Sequence, residues 1–108
     1  MKKIYSEISE IINKDQPAVI GVPLEITLHL AKLMEEVGEL AQAVNKINGR
    51  KGMKGETYEQ VYNNIEEEAA DSIQCIMAIA ITAGVDYDSL KKRISEKNKK
   101  YLKTLNKN

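Results

Sequence analysis

The chain has 108 residues, enough for one domain with a modest core. Hydrophobic residues make up 43% of it and charged residues 30%, which excludes a disordered composition. Sixteen basic residues balance sixteen acidic ones, so the net basic footprint of a nucleic-acid binder is missing.

Phe and Trp are absent, and the core is therefore expected to be aliphatic. The opening stretch, Met1 to Glu10, carries no long apolar run, which argues against a signal peptide. No apolar stretch reaches the length of a membrane span. Cys75 is the single cysteine, which excludes an internal disulfide framework and fits a reducing compartment. A cytoplasmic protein that binds neither membrane nor nucleic acid is expected.

Four helical stretches follow in order. The first runs from about Lys3 to Asn13, with Ile4, Ile8, Ile11 and Ile12 on one stripe. Pro17, Gly21 and Pro23 mark a loop. The second helix runs from about Leu24 to Ile47, with Leu33, Val37, Leu40 and Val44 as its apolar face and Gly49 just past its end. A loop with three glycines and three basic residues, Arg50, Lys51 and Lys54, comes next.

Thr57 and Gln60 form a capping box that opens the third helix, which continues to Ala83 and stops at Gly84. Asp86 is a good N-cap for the fourth, which runs to about Leu105. Its bases gather toward its C-terminal end, where they complement the helix dipole. No segment alternates with period two. The fold class is all-α, and the short links favour antiparallel neighbours, as in a four-helix bundle.

Charge is unevenly spread. Between Gly55 and Leu90 there are eight acids and no Lys or Arg, whereas Lys91 to Asn108 holds eight bases and one acid. Helix 2 carries Glu35, Glu36 and Glu39 within one arc, and helix 3 carries Glu68 and Asp71 one turn apart. From Ala69 to Val85 the third helix is apolar on almost every side, so it is expected to be buried and Asp71 partly so. A buried carboxylate needs a cation or donors, and none lies nearby on that helix. If helices 2 and 3 are antiparallel, then Glu36, Glu39, Glu68 and Asp71 face one another. Four such charges need neutralising. A hard divalent cation does this, and so does an ion-pair network supplied by helix 4.

Together these residues resemble the MazG-like, all-α NTP pyrophosphatase superfamily, whose motif is E-E-x-x-E followed by E-x-x-D. Here Glu35-Glu36-Val37-Gly38-Glu39 is followed, after 28 residues, by Glu68-Ala69-Ala70-Asp71. The resemblance covers roughly residues 24–101 of a single domain spanning 1–108, with residues 1–23 as an N-terminal helix and loop.

The resemblance implies a MazG-type helical fold assembled into a homodimer or homotetramer. It implies hydrolysis of a nucleoside triphosphate to the monophosphate and pyrophosphate. The metal would be Mg²⁺, with Mn²⁺ able to substitute, held by Glu36, Glu39, Glu68 and Asp71, with Glu35 behind them. It would screen the phosphates and activate a water. Lys97 and Asn98 match the family's basic helix as nucleotide contacts. Lys54, in the glycine-rich loop, is a suitable phosphate donor. Narrower activities of the superfamily use the same carboxylates: a dUTP or dCTP pyrophosphatase, or a phosphoribosyl-ATP pyrophosphohydrolase. A non-catalytic helical interaction module, its acids merely solvated or ion-paired, is the reading from a different class.

Overall fold

A computed structural model describes residues 1–15, 22–49 and 55–106. They form four helices: α1 (Lys2–Asp15), α2 (Val22–Ile47), α3 (Tyr58–Thr82) and α4 (Tyr87–Leu105). No strand occurs among the described residues, and the fold is all-α.

The ends fall where the local chemistry puts them. Thr57 Oγ1 accepts from the Gln60 amide at 3.2 Å, and Gln60 Oε1 accepts from the Thr57 amide at 2.9 Å. Two orphan donors at the start of α3 are thereby satisfied reciprocally. At the other end, Gly84 takes φ 85°. Its amide donates to Ile81 O at 3.0 Å, and the Val85 amide donates to Ala80 O at 2.8 Å, so the last carbonyls of α3 are paired. The Asp86 carboxylate then accepts from the Ser89 amide at 3.2 Å and opens α4.

Helices α2 and α3 pack antiparallel. Lys46, near the end of α2, pairs with Glu56 just before α3, while Glu36, farther back on α2, meets Glu68 well inside α3. The seam on α2 is Ile26, His29, Leu33, Glu36, Leu40, Ala43 and Ile47, all buried or half-buried. The seam on α3 is Val61, Ile65, Glu68, Ser72, Cys75, Ile79 and Thr82. Both advance in alternating steps of three and four, the spacing that keeps one stripe against a partner helix. Val61 has no accessible surface at all.

The expected apolar face of α2 is therefore split. Leu33 and Leu40 lie in the seam, but Val37 and Val44 are exposed. They belong to a second stripe, one residue farther round: Leu30, Met34, Val37, Ala41 and Val44. On α3 the same offset selects Tyr62, Ala69, Ile73, Ile76 and Ala80. One residue is about 100° of rotation, and in antiparallel helices that step turns both stripes to the same side of the layer. Leu30, Met34, Val37, Val44, Tyr62, Ile73 and Ile76 are all exposed there. The third helix is thus not buried all round in a single copy.

α1 lies on another side of α3, near its C-terminal end. Tyr5 and Ile8 pack on Met77 and Ala78, with Ile12, Ile81, Tyr87 and Leu90 around them. Tyr5 Oη donates to Val85 O at 2.6 Å, and its ring sits 5.5 Å from that of Tyr87. Of the predicted isoleucine stripe, Ile8 and Ile12 face inward and Ile4 and Ile11 are exposed. Beyond Leu90, α4 is exposed along its whole length. The radius of gyration is 17.3 Å, against about 13 Å for a compact domain of this size.

Candidate metal centre

The α2/α3 seam carries polar groups at its middle. One carboxylate oxygen each from Glu36, Glu39 and Glu68 lies within 4.8 Å of the others. Glu36 occupies an inner seam position and is only 4% exposed. Glu68 faces it from α3 and is half-buried, while Glu39, one turn on from Glu36, stands at the solvent edge. Glu36 Oε2 and Glu68 Oε2 are buried and have no hydrogen-bond partner. An octahedral Mg²⁺ with oxygens at about 2.1 Å spans about 4.2 Å between opposite ligands, so the three carboxylates bracket a space of suitable size. Their hard oxygen donors are of the right type, and the orphaned oxygens supply the motive.

Two charges shape the ionisation of the group. The Lys32 ammonium, one turn before Glu36, lies 3.0 Å from Glu36 Oε1 and 3.7 Å from Glu35 Oε2. Its hydrogen bond is the main reason the Glu36 carboxyl sits below the usual range. Glu68 goes the other way. Proximity to Glu36, then burial, then Glu39 push it up to about 7. Of two facing carboxyls, one is held ionised and the other tends to keep its proton.

A family model described as MazG nucleotide pyrophosphohydrolase domain matches residues 25–104. The chain belongs to the MazG nucleotide pyrophosphohydrolase family. No curated protein and no solved structure matches it significantly.

The MazG motif positions are unequally placed. Asp71 is exposed and stands outside the trio, although it is near enough to Glu36 to help lower its carboxyl. The expectation of a partly buried Asp71 is corrected: the seam passes through Ser72, and Asp71 is one step round from it. Glu35 is exposed and faces Lys32. Lys97 and Asn98 lie on the exposed part of α4. Among the described residues, no hydrogen bond or ion pair joins α4 to the carboxylates. The cation that neutralises Glu36 comes from its own helix. Lys54, with Arg50 and Lys51, lies outside the described residues.

Sequence reasoning missed Lys32, although its i,i+4 relation to Glu36 was there to read. It also missed a polar groove of about 290 Å³ that continues from the trio and is lined by Glu39, Gln42, Lys46, Asn64 and Glu68. Among the described residues Lys46 is the single cation on that groove, and Glu56 holds it.

Proposed function

We propose that this MazG-family chain hydrolyses nucleoside triphosphates, ribo or deoxy, to the monophosphate and pyrophosphate, with Mg²⁺ or Mn²⁺ as its cofactor. The observation that carries the reading is the trio Glu36, Glu39 and Glu68, with two buried oxygens lacking partners, at the motif positions of the family. These three would hold the metal, and Asp71, one turn on from Glu68, would join from the rim. Bound there, the metal supplies charge screening and water activation.

The chain's own residues do the rest. The seam fixes Glu36 and Glu68 on two packed helices, which keeps their oxygens in place without a loop. The adjoining groove gives an extended polyanion a polar path, with Gln42 and Asn64 as donors and Lys46 as a charge. Lys97 and Asn98 would reach a nucleotide only from a neighbouring copy or after α4 folds back. Hydrolysis consumes one water and breaks one phosphoanhydride P–O bond.

The whole chain, 1–108, is read as one domain that acts as a homodimer or homotetramer. The exposed apolar side of the α2/α3 layer supports this, because a single copy leaves it uncovered. The lone cysteine supports a cytoplasmic setting, and no described helix is long and apolar enough to cross a membrane.

The test is direct. Purified protein is incubated with a panel of ribo- and deoxynucleoside triphosphates, with Mg²⁺ or with EDTA, and the products are resolved. Monophosphate and pyrophosphate are expected, dependent on metal and lost in Glu39→Gln and Asp71→Asn. An inactive wild type would next be given phosphoribosyl-ATP. Failure there too, with no Mg²⁺ binding by calorimetry, would overturn the enzyme in favour of an interaction module.

A further inference from the structure

We infer that Lys32 is the resident counter-cation of the carboxylate site: it holds Glu36 when no metal is bound, yields Glu36 to an arriving divalent ion, and so sets the affinity for that ion. The inference rests on the metal-site reading above.

The geometry supports each part. Glu36 sits in a helix seam at 4% exposure, where an ionised carboxylate without a cation is strongly disfavoured. Within the described chain Lys32 is the cation that reaches it, at 3.0 Å from Oε1. The pairing is incomplete, because Oε2 stays buried with no partner. A lysine placed before its glutamate is also the weaker order for a pair on one helix, so helix stability alone gives little reason for it. The site still carries excess negative charge, with Glu35 and Glu39 around the pair.

Lys32 is able to leave. Its side chain is 56% exposed, and withdrawing the ammonium requires no repacking. It also has somewhere to go. Glu35 Oε2 is 3.7 Å from Nζ on the outer, solvent side. A metal that takes both Glu36 oxygens, or the one Lys32 now holds, shifts the lysine outward onto Glu35. This gives the first glutamate of the motif a positioning role: it receives the displaced lysine rather than binding the ion.

Competition of this kind has a definite sign. Removing the lysine's charge leaves the site more negative and frees it of a competitor, so a metal binds more tightly. The metal-free protein is left with an uncompensated buried carboxylate and loses stability. The experiment is titration of wild type, Lys32→Met and Lys32→Arg with Mn²⁺ and with Mg²⁺ alone, by calorimetry, together with thermal melts with EDTA and with saturating metal. Lys32→Met is expected to bind metal about tenfold more tightly, from the loss of one nearby like charge. Its Tm should fall in EDTA and recover with metal. Lys32→Arg should keep wild-type behaviour.

Glu35→Gln should weaken metal binding more in the wild-type background than in Lys32→Met, where only the loss of its own charge remains. An equal loss in both backgrounds would make Glu35 a ligand in its own right and remove its receiving role. Wild-type metal binding that is unchanged or weakened in Lys32→Met would overturn the inference and leave the enzyme reading standing. Absence of metal binding in wild type and every variant would instead sink the metal site itself, and the inference with it.

Discussion

The two sides of the α2/α3 layer differ by a single rule. Residues one step before a seam position are mostly polar: Lys32, Glu35, Glu39, Gln42 and Lys46 on α2, and Gln60, Asn64, Glu67, Asp71 and Gln74 on α3, with Leu28, Ala78 and Ile81 as the exceptions. Residues one step after it are mostly apolar: Leu30, Met34, Val37, Ala41 and Val44, and then Tyr62, Ala69, Ile73, Ile76 and Ala80, with Thr27, Asn48 and Glu66 as the exceptions. The first side opens the carboxylate trio and the polar groove to solvent. The second is a sheet of exposed side chains of the kind that monomeric soluble proteins rarely display. The carboxylate trio and the exposed apolar stripe thus lie on opposite sides of the same two helices, with the seam between them.

The largest expected effect comes from breaking the apolar side. Met34→Glu combined with Ile76→Glu puts two charges where the layer is exposed and apolar. Light scattering coupled to size exclusion should move the protein to the monomer mass of 12.1 kDa, with helical content by circular dichroism retained. An unchanged oligomeric mass would detach association from this side and require another surface, such as the long exposed run of α4.

The difference between the sides was only half legible in the sequence. The helix ends were readable because their determinants are local: a capping box at Thr57 and Gln60, a glycine at Gly84, a carboxylate cap at Asp86. The carboxylate pairs were readable because they obey i,i+3 spacing. The seam was not. A stripe containing Leu33, Val37, Leu40 and Val44 looks like the core of α2, since it holds its best aliphatics. The helix instead turns Ile26, His29, Leu33, Glu36, Leu40, Ala43 and Ile47 inward, a stripe with two polar members. Hydrophobicity alone prefers the first stripe; what selects the second is the matching stripe on α3, which carries Glu68 and Ser72 at its middle, a pairing no single helix reveals. Asp71 was misjudged for the same reason. Its neighbours are apolar on most sides, but it falls one step before a seam position and points to the open polar side. Lys32 gains meaning only once Glu36 is known to be buried, because an i,i+4 charge pair on an exposed helix face is ordinary.

A smaller effect sharpens the seam's dual role. Glu36→Leu replaces a buried charge between Leu33 and Leu40 with an apolar side chain of similar length, and the exposed Lys32 loses nothing costly. Substitutions of this type are often neutral or stabilising. The metal-free Tm should hold or rise, while Mg²⁺ ceases to shift it and activity is lost. That outcome would mean that the seam tolerates Glu36 for chemistry at the expense of stability. A marked fall in metal-free Tm would mean that Glu36 stabilises the seam more than a leucine in its place.

The subtlest effect is the pH dependence of the metal-free protein. Glu68 titrates at about 7 in the folded chain, raised first by Glu36 beside it, and near 4.5 when unfolded. Between those values the folded state binds more protons than the unfolded one, so stability falls as pH rises. The contribution of Glu68 is fully present below pH 4.5 and is lost as pH passes through about 7. Glu36 acts oppositely and lower down: its depressed carboxyl contributes above the ordinary glutamate range and loses that contribution as acid titrates it. Melts in EDTA should therefore show Tm declining from about pH 5 to pH 7.5, and Glu68→Gln should flatten that decline. Saturating Mg²⁺ should flatten it as well, because a bound cation favours the ionised form that the empty seam resists. A decline that persists in Glu68→Gln would place the titrating group elsewhere.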